Sequence, residues 1–68
     1  MSRKLRKVWK KIERLTIRAE ALKGELKYRR EVWERLERIT PGEISKQASM
    51  AGEIESIATQ IEFLRRGL

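Results

Sequence analysis

Sixty-eight residues, 40 % of them charged and 40 % hydrophobic, with 17 Lys and Arg against 10 acidic residues and a formal net charge of +7, have the composition of long helices and coiled coils. The absence of Cys and His excludes a disulfide scaffold, a Cys/His zinc site, a thiol nucleophile and imidazole acid–base chemistry, and no cofactor or metal is expected. No apolar run approaches the roughly 18 residues that span a bilayer, and residues 1–11 lack the apolar segment of a secretory signal, so the expectation is a cytoplasmic protein.

The first half of the chain carries the charge. Residues 1–30 hold 12 Lys and Arg against Glu13, Glu20 and Glu25, a balance of +9, whereas residues 31–68 hold 5 against 7, a balance of −2. With Leu5 as heptad position a, the a positions are Leu5, Ile12, Ala19, Leu26 and Trp33, and the d positions are Val8, Leu15, Leu22, Arg29 and Leu36. Nine of these ten seam positions are apolar, a pattern that predicts one continuous helix over about residues 3–39 with a coiled-coil-like seam. Trp9 at e widens the stripe. Gly24 falls at f, away from the seam, where it costs about 1 kcal/mol of helix stability; it reads as a tolerated defect or as a place where a partner's backbone comes close.

Thr40-Pro41-Gly42-Glu43 punctuates the chain. Thr40 followed three residues later by Glu43 is a capping box, with Pro41 at the first helical position, where its missing N–H costs nothing. A residue before proline is pushed out of helical backbone geometry, so the first helix must stop by Ile39 or Thr40. The turn is thus placed at residues 39–42. The second helix is predicted over about 41–66, with an apolar set of Ile44, Ala48, Met50, Ala51, Ile54, Ile57, Ala58, Ile61, Leu64 and Leu68, interrupted in its seam by Gln47. Arg65 and Arg66 complement the helix dipole at its end.

These elements predict an all-α antiparallel helical hairpin forming a single domain. Two helices cannot enclose a core alone, so a homo-oligomer is expected, most simply a dimer forming a four-helix bundle. Its interface is assigned to Leu5, Val8, Trp9, Ile12, Leu15, Leu22, Leu26, Trp33 and Leu36 on the first helix and Ile44, Ile54, Ile57, Ile61 and Leu64 on the second. Folding at Thr40 is expected to pair residues whose numbers total about 80 to 82. That register sets Arg29 and Trp33 opposite Ala48, Ala51 and Gly52, with Arg29 snorkelling to solvent or reaching Glu55. It also leaves residues 1–12 projecting up to about 18 Å past the second helix, with the seam residues Leu5, Val8 and Ile12 uncovered.

The projecting arm is the most basic part of the chain. Arg3, Lys4, Arg6, Lys7, Lys10, Lys11, Arg14 and Arg18 occupy b, c, f and g positions, an arrangement suited to phosphates and unsuited to prescribing base readout. Nucleic acid is therefore the first candidate partner. The alternative is a protein-interaction module, an adaptor, structural protein or inhibitor, that docks its apolar stripe into an acidic or apolar groove of a larger assembly. A membrane surface is less favoured because the stripe is short and continues the heptads. The carboxylates are dispersed among basic neighbours, as Glu13 beside Lys10 and Arg14, so no acid pair of a hydrolase and no enzyme is expected.

Overall fold

The computed structural model describes residues 2–68 as two helices, α1 (Arg3–Arg35) and α2 (Pro41–Arg66), packed against each other and joined by residues 36–40. The hairpin is antiparallel: Arg18 of α1 pairs with Glu53 of α2, and the later Arg29 pairs with the earlier Glu43. The rod measures 52 × 15 × 14 Å, close to the roughly 50 Å expected for 33 helical residues.

Each helix is started by a side-chain cap. The Ser2 hydroxyl accepts the Leu5 N–H at 3.2 Å, and the Thr40 hydroxyl accepts the Glu43 N–H at the same distance. Thr40 is extended, with φ −83° and ψ 153°, as the following Pro41 demands. Only half of the expected capping box forms. The Glu43 carboxylate does not return to the Thr40 N–H and instead meets Arg29.

α1 ends four residues before the expected Ile39. Leu36 donates its N–H to the Val32 carbonyl and Glu37 to that of Glu34, and Glu37 then takes the left-handed conformation with φ 55°. The proline restricts only Thr40, but the chain must also reverse direction, and a left-handed residue after the helix cap is the usual way to do so. Glycine marks such a position in a sequence. Here a glutamate holds it and leaves no signal.

The longer connection resets the register. Among the described residues the buried apolar side chains are Ile12, Ala19, Leu26, Met50 and Ile57, seven apart on each helix. On α2 the buried and half-buried line runs 43, 47, 50, 54, 57, 61 and 64, alternating steps of four and three, so that 47, 54 and 61 take heptad position a and 43, 50, 57 and 64 position d, with Ala51 at e and Glu53 at g half-buried beside it. The cross-helix ion pairs Arg18–Glu53 and Arg29–Glu43 join residues whose numbers total 71 and 72. The expected total of 80 to 82 is therefore wrong. Ile44, Ala48 and Ala58, placed in the apolar stripe by sequence, are exposed on its flank, and Glu43 takes a seam position.

This register also shortens the projecting arm. Ile12 is only 4 % exposed and Val8 is half-buried, so neither is the uncovered seam residue that the sequence suggests. The overhang is therefore shorter than the roughly 18 Å that the sequence suggests. Leu5 alone of the three stays exposed. Gly24 faces open space, with nothing within 4 Å of the point where an alanine methyl would sit, so no close approach inside the hairpin requires it.

Candidate nucleic-acid interface

All eight basic residues singled out in the sequence, Arg3, Lys4, Arg6, Lys7, Lys10, Lys11, Arg14 and Arg18, are exposed on α1. Helical spacing puts Arg3, Lys7, Lys10 and Arg14 on one outward c/f line, with Lys4 and Lys11 beside them at g and Arg6 around the helix at b. The side chains of Lys7, Lys10, Lys11 and Arg14 come together around a shallow concavity floored by Leu15. Among the described residues, none of these four forms an ion pair. Arg18 differs from them: its Nε donates to Glu53 Oε1 at 2.9 Å and its Nη2 to the same oxygen, which removes it from the free cationic set. The Arg18–Glu53 pair is exposed, worth less than about 1 kcal/mol, and its main consequence is to tie the g positions of the two helices together along one flank.

On that same flank the second helix contributes its own surface. Lys11 also lines a neighbouring concavity with Thr59, Gln60, Phe63 and Leu64 of α2, so one lysine forms the wall between the basic patch and an aromatic one. Phe63 is 76 % exposed, the most exposed large hydrophobic side chain among the described residues. Sequence reasoning passed over it because a single phenylalanine at a c position carries no periodic signal; only the register brings it beside Lys11.

A polar cluster occupies the turn end of the seam. Arg29 Nη1 donates to both oxygens of Glu43 at 3.2 Å, Arg29 Nε donates to Glu25 at 3.3 Å, and Gln47 Nε2 donates to Glu43 Oε1 at 3.3 Å. Arg29 therefore engages Glu43 and Glu25, where Glu55 or solvent was expected. Burial alone would push the Glu43 carboxyl up, but hydrogen bonds from Arg29 and Gln47 and the charges of Arg29 and Lys46 outweigh it and hold the group below the ordinary carboxylate range. Conversely, the hydrogen bond to Glu43, against the effect of burial and helped by Glu25, raises the pKa of the Arg29 guanidinium. Among the described residues no buried side-chain nitrogen or oxygen lacks a hydrogen-bond partner, and the cluster ties α1 to the first turn of α2.

The residues assigned by sequence to an interface divide by burial. Ile12, Leu26 and Ile57 are buried; Val8, Leu15, Leu22, Trp33, Ile54, Ile61 and Leu64 are half-buried; Leu5, Trp9, Leu36 and Ile44 are exposed. The first two groups lie on the a/d seam between α1 and α2, leaving few of them for a neighbour. Among the described residues no cluster of His, Cys, Asp or Glu could hold a metal ion, and no helix is long and apolar enough to cross a membrane. Comparison with known protein families, with curated proteins and with solved structures finds no match for this chain.

Proposed function

We propose that this chain is a non-enzymatic nucleic-acid-binding protein of the cytoplasm that contacts phosphates through the c/f/g face of α1. The observation that carries this reading is the convergence of Lys7, Lys10, Lys11 and Arg14 on one concavity, none of them held in an ion pair among the described residues. Four like charges held together repel one another, and a polyanion relieves that repulsion while releasing its own condensed counterions. Arg3 and Lys4 extend the same face by a further turn.

Binding is measured by anisotropy of a labelled oligonucleotide across a salt series. Four phosphate contacts give a slope of log K against log salt of roughly −3 to −4. Reversing Lys7, Lys10 and Lys11 to Glu removes most of that slope and abolishes binding, while helicity measured by circular dichroism stays unchanged. No binding by the parent protein at low salt refutes the proposal.

Self-association is a second reading, beside the nucleic-acid one. Along the e flank of the hairpin, opposite the Arg18–Glu53 side, Trp9 stands exposed at one end and Ile44 at the other, with Ala51 and Ala58 between them on α2. A two-fold axis across this flank sets Trp9 of each copy near Ile44 of the other, a self-complementary arrangement of the kind closed dimers use. This is the face on which the proposed four-helix bundle would form, in place of the a/d seam.

A further inference from the structure

We propose that Phe63 is a stacking platform for an unpaired base, so that the preferred ligand is single-stranded nucleic acid, its phosphates running over Lys7, Lys10 and Arg14 and one base turned across Lys11 onto the ring. The inference rests on the nucleic-acid reading above and names the ligand class for that same face. Three observations carry it. Phe63 is 76 % exposed on α2 at a position that the seam does not use, so its ring serves no internal contact that explains it. Lys11 borders both the basic concavity and the aromatic one, which makes the two a continuous surface that crosses from α1 to α2. The nearby charges also favour an anion here: Glu62, which shares a hollow with Phe63, is tied to Arg66 at 2.7 Å, and Glu53 is tied to Arg18.

The chemistry selects an unpaired base. Inside a duplex both faces of each base are covered by its neighbours, so a ring presented face-on gains nothing from paired nucleic acid beyond the phosphate contacts. An unpaired base offers a free π face, and the cationic wall of Lys11 holds the adjoining phosphate. Gln60, exposed beside the ring and without a side-chain hydrogen bond among the described residues, supplies an amide able both to donate and to accept at a base edge.

The test compares three labelled ligands of equal length on the full chain: an oligothymidylate, the same backbone with abasic sites throughout, and a duplex. The parent protein is expected to bind oligothymidylate about 5- to 150-fold more tightly than the abasic strand, the range spanned by one base stacked on an aromatic ring. Phe63→Ala should bring oligothymidylate down to the abasic level and leave abasic and duplex binding unchanged; Phe63→Trp should keep the preference. Since the ring is exposed, helicity serves as the control for folding. Equal binding of oligothymidylate and abasic strands by the parent protein, or a preference that Phe63→Ala leaves intact, overturns the stacking platform alone. Failure to bind any of the three overturns the nucleic-acid reading and the platform with it.

Discussion

Glu37 and Glu43 show how single residues act against their sequence signal. Glu37 sits in the left-handed region at φ 55°, where a β-carbon costs roughly 1–2 kcal/mol. Glu37→Gly should therefore stabilise the hairpin by about 1 kcal/mol, less the added freedom of the unfolded chain, and raise the thermal midpoint followed by circular dichroism. Glu43 is the other case. Its lowered folded pKa means that its contribution to stability is present above the unfolded carboxylate value, near 4.3, and is lost as pH falls through the folded value. The midpoint should thus drop below about pH 4. Glu43→Gln should lower it at neutral pH, by leaving Arg29 without its carboxylate, and flatten the acid limb; an acid limb as steep as the parent's would show that the Arg29–Glu43 pair does not govern it.

At the scale of the elements, the hairpin is two antiparallel helices packed against each other along one seam. Among the described residues the buried apolar part of the seam is short: Ile12, Ala19 and Leu26 on α1 and Met50 and Ile57 on α2. Ile57, only 4 % exposed, is with Ile12 its most buried member. Ile57→Ala should cost about 2–4 kcal/mol and leave the chain largely unfolded in a thermal melt, because the truncation opens a gap that a two-helix structure has no further layer to fill. Ile44→Ala, on the exposed flank, should leave the midpoint of the isolated hairpin nearly unchanged. The comparison separates the observed seam, 43-47-50-54-57-61-64, from the sequence-based stripe in which both isoleucines counted.

For the whole molecule, the two flanks of the seam differ in what they carry. The g flank carries Lys11, the Arg18–Glu53 pair and Phe63; the e flank carries Trp9 and Ile44. A dimer formed across the e flank leaves the cationic face open on both copies and doubles the run of phosphates available to one strand. Sedimentation should then report a dimer that Ile44→Asp converts to a monomer without loss of helicity; an unchanged monomeric species for the parent protein removes this arrangement.

The two helices were legible in the residues themselves: heptad periodicity fixes one face of each, and Thr40 with Pro41 starts the second whatever its neighbours do. The cationic face was equally legible, since a helix of known spacing places Lys7, Lys10 and Arg14 without reference to anything else. What the sequence left open was the register, and with it the partner of Arg29, the cover over Ile12 and the setting of Phe63. Register depends on where the first helix stops, and that was decided by a left-handed Glu37 and by Arg29 drawing Glu43 away from its cap, interactions between residues 14 apart that no local propensity encodes. Moving the turn by a few residues slides one helix along the other, and only the folded pair, by burying Ile57 and satisfying Glu43, selects among the possible alignments.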